Sequence, residues 1–316
     1  MTSTVFADAG FSKGFRVFEE SPWSYSFSAA FTEYAAIQDS MEIAFPSNST
    51  NLPVGSVLNF GFGYNPGFEV GFILNTPYDN WSLASDYLWY RGSSHLSKTN
   101  DGSTSYSSPL FGTGFYENLM SSLDANWHLG LDLIDLYLTR PYYSGKKLTI
   151  KPMVGLRGDL IRETFHLEGD VFGGDAANQF VKTTSKLWGV GPRLGAEGDF
   201  IYFRNWSFFG NLATSLLYTY YTKIRVNYDN SLNQESQAKN DGVSLFHPNI
   251  DAGLGLNFGG YAWKNAFYCN LRVAYNFSIF FSQNMGRALV SSANESVARP
   301  QNLYLQGASI GLDFIF

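Results

Sequence analysis

Cysteine is almost missing. Cys269 is the only one in 316 residues, so no internal disulfide is possible. Long apolar runs are missing too: no stretch reaches the roughly 18 consecutive apolar residues that a membrane helix requires. Charged residues make up only 15% of the chain, below the ~25% of ordinary soluble domains. The formal net charge of -6, the pI near 5.2 and the lack of any basic run exclude a nucleic-acid partner. The start, MTSTVFADAG, has neither the charged n-region nor the apolar core of a signal peptide. If the protein is exported, a leader has already been removed. The glycines of GVGPRLG make no phosphate loop, because strand pattern flanks them on both sides. Nothing has the spacing of a metal site or a nucleophile elbow. No cofactor, metal or catalytic residue is therefore expected.

What the chain has instead is aromatic: 28 Phe and 20 Tyr, together with 31 Gly. These residues alternate with polar ones at the two-residue period of a strand. In AFYCNLRVAYNFSIFF, Phe267, Cys269, Leu271, Val273, Tyr275, Phe277, Ile279 and Phe281 share one face, opposite Asn270, Arg272, Asn276 and Ser278. NFGFGYNPGFEVGF sets Phe60, Phe62, Tyr64, Phe68, Val70 and Phe72 against Asn59, Gly61, Gly63, Asn65, Glu69 and Gly71. PNIDAGLGLNF sets Ile250, Ala252, Leu254, Leu256 and Phe258 against small or polar residues, and QGASIGLDFIF ends the chain in the same manner on Phe316. Further strands read at 23–44, 81–92, 121–140, 147–167, 185–202 and 206–228.

Their connections alternate between short and long. NTPYDN, PYYSGK, FRN and GGYAW are tight, whereas 93–118, 168–180, 229–242 and 282–300 are long and polar. Tight turns at one end and long loops at the other is the pattern of an outer-membrane barrel. In lipid such strands are viable only when closed, so the last strand is expected to pair with the first. A soluble sandwich would carry charge on its outward faces, and these faces are rich in Gly, Asn and Ser. The expectation is an all-β, closed antiparallel transmembrane barrel over 23–316, with 1–22 as an N-terminal periplasmic segment. About ten strands are expected, with twelve as the alternative because 93–120 has room for a hairpin. The apolar phase slips at Glu33 and Tyr34 and again at Leu133 and Ile134, which predicts a bulge or the end of the lipid-facing band. Pro152 and Pro192 fall inside strands, where each removes a ladder hydrogen bond.

The alternation turns Glu69, Lys151, Arg157, Asp159, Glu163, Arg193, Glu197, Asp199, Lys223, Arg225, Asp251, Arg272 and Asp313 inward. Arg or Lys on the lipid side would cost roughly 2–4 kcal/mol at the midplane. Two readings stand for this set: a charged constriction near Arg157, Arg193 and Arg272, or salt bridges that fill a narrow barrel. Gly61, Gly63, Gly71, Gly253, Gly255, Gly307 and Gly311 face inward and are expected to leave room. Trp23, Trp81, Trp89, Trp206, Tyr218, Tyr220 and Trp263 read as aromatic girdles. His166, Glu168 and Asp170 cluster where a strand meets a long loop, the one place suggesting a hydrolase. The competing functional classes are thus a narrow pore, a closed adhesin or anchor presenting its loops, and an outer-membrane enzyme.

Four stretches resemble the major outer membrane protein family first defined in Legionella and found in chlamydia-related bacteria. They are GFEVGFILNTPYDNWSLASDYLWY, GKKLTIKPMVGLRGDLIRE, WGVGPRLGAEGDFIYFRNWSFFGNLATSLLY and NLYLQGASIGLDFIF, with PMVGLRG and GVGPRLG the most specific parts. The resemblance implies a pore-forming barrel in a Gram-negative outer membrane that passes ions or small hydrophilic solutes. It also implies that Phe314 and Phe316 are read as the insertion signal by the barrel-insertion machinery. Membrane lipid is the remaining partner. The resemblance carries over no catalytic residue, and the lone Cys269 departs from the disulfide cross-linking of cysteine-rich relatives.

Overall fold

The computed structural model describes residues 23–47, 54–78, 80–100, 105–111, 119–144, 147–171, 178–203, 205–230, 234–262, 267–286 and 300–315. The segment 1–22, Phe316, Trp263 and the side chain of Phe267 lie outside them.

In chain order the strands are β1 (Ser24–Gln38), β2 (Glu42–Ser47), β3 (Leu58–Asn59), β4 (Tyr64–Asn75), β5 (Ser82–Thr99), β6 (Ser105–Ser107), β7 (Met120–Thr139) and β8 (Tyr142–Ser144). They continue with β9 (Leu148–Val171), β10 (Asn178–Phe203), β11 (Trp206–Asn230), β12 (Gln234–Lys239), β13 (Val243–Ala262), β14 (Phe267–Phe280) and β15 (Leu303–Ile315). Ten of them, β1, β4, β5, β7, β9, β10, β11, β13, β14 and β15, form an antiparallel ring. β1 closes it against β15, with Phe27 opposite Phe314 and Ala30 opposite Gly311. Every stave thus has two neighbours, as backbone in lipid requires. The twelve-strand alternative falls away because residues 93–99 continue β5, and β6 pairs with β2 rather than entering the ring as a stave.

Tilted spanning strands need ~9–11 residues, yet β9, β10 and β11 have 24, 26 and 25. The surplus stands outside the bilayer, on the side away from the tight turns, and it absorbs much of what reads as loop at 93–99 and 168–171. On β9 the outward residues run Ile150, Pro152, Val154, Leu156, Gly158, Leu160, then Arg162, Thr164, His166, Glu168 and Asp170. The inward residues run the opposite way, from Lys151, Arg157 and Asp159 to the buried Ile161, Phe165 and Leu167. The alternation is unbroken; the chemistry of its two faces exchanges at the membrane border.

That exchange explains both phase slips. On β7, Ile134, Leu136 and Leu138 face lipid, while Leu129, Leu131 and Leu133 are buried inside. On β1, Phe27 and Phe31 face lipid, whereas Glu33 faces out and Tyr34 faces in. Neither strand has a bulge at these points, since the pairing registers run through without a shift. A bulge does occur on β11, where Lys186 opposes Lys223 but Leu187 opposes Tyr221, leaving Thr222 as the extra residue. It re-aims the strand beyond it. Ile224 and Val226 become fully buried, and Lys223 and Arg225 turn outward, which corrects their expected place in the lumen.

The prolines sit at openings in the ladder. Pro192 pairs with Leu156 of β9, but the β10–β11 pairing skips from Val190 to Arg193. Pro152 lies where β7 stops pairing at Met153 and β8 takes over at Ile150. Each is missing an N–H on a flank that offers no regular partner. Aromatic girdles mark both borders: Trp23, Trp81 and Trp206 beside the tight turns, and Trp89, Trp188, Tyr218 and Tyr220 at the outer border.

Candidate functional site

Within the membrane band the lumen holds a cavity of about 200 Å³ lined by Glu69, Asp86, Asp135, Arg157, Arg193, Glu197, Asp251, Arg272 and Asp313. Its centre is one cluster. Arg157 donates to Asp135 through Nε at 2.7 Å and Nη2 at 2.6 Å, and through Nη1 to Asp251 at 2.7 Å and to Asn249 Oδ1. Arg193 donates to the same Asp251, which also accepts from Ser278 at 2.7 Å, and its Nε lies 3.5 Å from Asp135. Such charge-assisted, bidentate bonds fix both guanidiniums.

A second cluster lies nearer the tight turns. Lys151 Nζ stands 3.1 Å from Glu197 and 2.6 Å from Asp199. Arg272 reaches the other Glu197 oxygen at 2.9 Å while its guanidinium covers the Phe209 ring at 3.8 Å. Asp313 accepts from Asn270 at 2.9 Å, and Asn276 donates to Tyr34 and Ser309. Glu69 lines the cavity yet makes no hydrogen bond or ion pair among the described residues.

Of the thirteen residues expected inside, eleven face inward, and nine of these gather at the cavity and the cluster beside it. Asp159 and Glu163 sit higher, under the apolar residues, with Glu163 accepting from Trp127 Nε1 at 2.8 Å. Lys223 and Arg225 are excluded by the bulge. The sequence reading missed Asp86 and Asp135, and Asn249, which alternation puts on the polar face with Asp251, was not among its site candidates. Asp135 was hidden by the apparent slip beside it, and its inward side becomes legible once Ile134, Leu136 and Leu138 are taken as lipid-facing.

The inward glycines do not hold the lumen open. A Cβ on Gly71 would meet Ser28 and Asp86, on Gly253 Asn211 and Asn276, on Gly255 the Phe209 ring, and on Gly307 the Tyr34 backbone and ring. The space they leave is taken by neighbouring side chains and, at Gly255 and Gly307, also by the backbone of the adjacent strand. Gly61 and Gly63 lie before β4 with nothing nearby, while Phe60 and Phe62 turn inward onto Phe165 and Trp127.

Those two rings belong to an apolar cap above the cavity. Ile43 and Ala44 of β2, Phe60 and Leu110 pack with the inward residues of the staves, among them Trp127, Leu131, Ile161 and Ile224. Ser108 Oγ donates to the Ile43 carbonyl at 2.5 Å, joining the inserted segments to each other. His166, Glu168 and Asp170 occupy the outer wall: His166 lies 3.5 Å from Glu168, and Asp170 accepts from Ser122. His166 Nδ1 has no hydrogen-bond partner among the described residues.

A closed ring with an apolar band, aromatic borders and inward charge defines an integral barrel of the bacterial outer membrane. The chain belongs to the family described as Legionella pneumophila major outer membrane protein precursor, which it matches over residues 19–316. Among individually curated proteins none matches in sequence. Similar solved structures include the outer membrane protease OmpT of Escherichia coli, at 10% identity and TM-score 0.45, covering 96% of this chain and 100% of that one. A major outer membrane protein from Thermus thermophilus is 10% identical at TM-score 0.33, covering 93% and 99%. The toluene transporter TodX of P. putida is 11% identical at TM-score 0.30, covering 92% and 89%.

Proposed function

We propose that the protein is a narrow channel for ions and small hydrophilic solutes, shut at its outer mouth in the state described here. The observation that carries this reading is the polar cavity at membrane depth. Four cations, Lys151, Arg157, Arg193 and Arg272, face inward there against seven carboxylates, Glu69, Asp86, Asp135, Glu197, Asp199, Asp251 and Asp313. A barrel serving only as an anchor would be at least as stable with an apolar filling, because burying charge costs desolvation that pairing returns only in part. The acidic excess favours cations. The cap draws on segments between staves, β2 and the residues around Phe60 and Leu110, which can move without opening the ring. A ten-strand lumen lies between the filled eight-strand limit and the open sixteen-strand porins, so the pore is narrow. The terminal aromatic residues remain the proposed signal for the insertion machinery.

A second reading, a closed surface anchor, is favoured by the completeness of the cap. Planar-bilayer recording of the folded chain separates the two. The channel reading expects small, infrequent steps with a cation-selective reversal potential, more frequent openings in Trp127→Ala, and weaker cation preference in Glu69→Gln. A silent bilayer for both the native chain and Trp127→Ala, with folding verified, would establish the anchor.

A further inference from the structure

The outer wall carries charge in a pattern that neither the channel nor the barrel itself requires. Lys223 of β11, Lys186 of β10 and Arg162 of β9 are successive partners in one cross-strand row, and the row continues through Gly130 of β7 to Arg91 of β5. All these side chains face outward. The row immediately towards the membrane is Tyr220, Trp188, Leu160, Asp132 and Trp89, the outer girdle. The cations therefore stand at the level of the outer-leaflet headgroups.

Like charges directly opposite on neighbouring strands destabilise a sheet, and this row places three in succession. Arg91 is neutralised by Asp132 at 2.9 Å and stacks on Trp89, and a Cβ at Gly130 would meet its side chain at 3.5 Å. Arg162, Lys186 and Lys223 have no ion-pair partner among the described residues. The bulge at Thr222 is an independent observation pointing the same way. With regular alternation Lys223 would follow Tyr221 inward, so the extra residue is what brings the third cation to the wall.

We propose that Arg162, Lys186 and Lys223 bind the phosphate groups of a lipopolysaccharide in the outer leaflet. Charge complementarity selects a polyanion, and the aromatic row beneath selects one attached to acyl chains. Arg162 supplies the planar fork suited to phosphate oxygens and the two lysines act as point charges. Binding removes the mutual repulsion of the row, so the lipid stabilises the folded barrel.

The test follows the thermal unfolding of the full chain, folded in neutral detergent, during titration with purified lipopolysaccharide, its dephosphorylated form or inorganic phosphate. The native chain is expected to melt higher with lipopolysaccharide alone, and the triple variant Arg162→Gln, Lys186→Gln, Lys223→Gln to need about tenfold more lipid. Lys186→Glu separates binding from folding: without lipid it should melt higher than the native chain, and with lipopolysaccharide it should gain little. An undiminished response in the triple variant, an equal response to the dephosphorylated lipid, or a full response to inorganic phosphate alone would each overturn the proposal.

Discussion

The two halves of this barrel are built from the same ten strands, yet they obey opposite rules. In the membrane half Leu156, Leu212 and Leu254 face outward and Arg157, Arg193 and Asp251 face inward. In the outer half His166, Lys182 and Arg225 face outward, and Leu167, Val181 and Val226 are buried within. One half is organised as a lipid-soluble barrel and the other as a water-soluble one. Strand alternation names two faces, and the surrounding medium decides which of them is the inside. In the membrane half the polar groups must be satisfied by each other, which is why Arg157 has three carboxyl and amide partners. In the outer half the apolar residues need only one another, and among the described residues they pack into one buried cluster.

The largest expected effect comes from breaking the charge cluster. Arg157→Met leaves Asp135 and Asp251 buried without their main partner and should cost about 3–5 kcal/mol in urea unfolding of the barrel in vesicles. Arg225→Met in the outer half removes the exposed, water-screened pair with Asp241 at 3.3 Å and should leave the unfolding midpoint close to that of the native chain. Equal losses would erase the distinction between the halves.

A smaller effect follows from moving one charge along the outward face. Leu271→Arg should lose roughly 2–4 kcal/mol in the lipid band, whereas Thr164→Arg, outward but beyond the border, should be nearly neutral. Comparable folding yields in vesicles for the two would place the border elsewhere.

The smallest effect is a titration in the outer half. The Ile224 N–H bonded to Asp241, with Arg225 beside it, holds that carboxyl below its ordinary value. Its folded value being depressed, the contribution is present above the ordinary carboxylate range and is lost as pH falls through the lowered value. The Ile224 amide resonance should therefore shift only in strong acid, and Asp241→Asn should abolish the shift. An amide that titrates at neutral pH would show that this carboxyl is not its partner.

Much of the membrane half was legible in the sequence. Aromatic and aliphatic residues at a two-residue period give the strands, the alternating connection lengths give the two ends, and Lys151, Arg157, Arg193 and Arg272 sit where alternation places them. The outer half was harder to read, because a barrel core and a lipid face use the same residues. Leu131 and Leu133 look like lipid-facing residues out of phase with Leu136 until the exchange of medium is recognised. Lys223 was misplaced because a single inserted residue in a smooth pattern, Thr222, has no local signature. The glycines misled for another reason: a missing side chain shows where room exists, not which neighbour fills it.

The exchange of faces is tested most directly along β9. In a Cys269→Ser background, single cysteines at outward positions 150, 154, 156, 160, 164, 166 and 168 would carry a spin label, with the barrel in vesicles. The expected profile is high collision with oxygen and low collision with a water-soluble relaxant through position 160, inverting abruptly from 164 onward. Oxygen-dominated accessibility continuing to position 168 would put the whole strand in lipid and contradict the two-halved barrel.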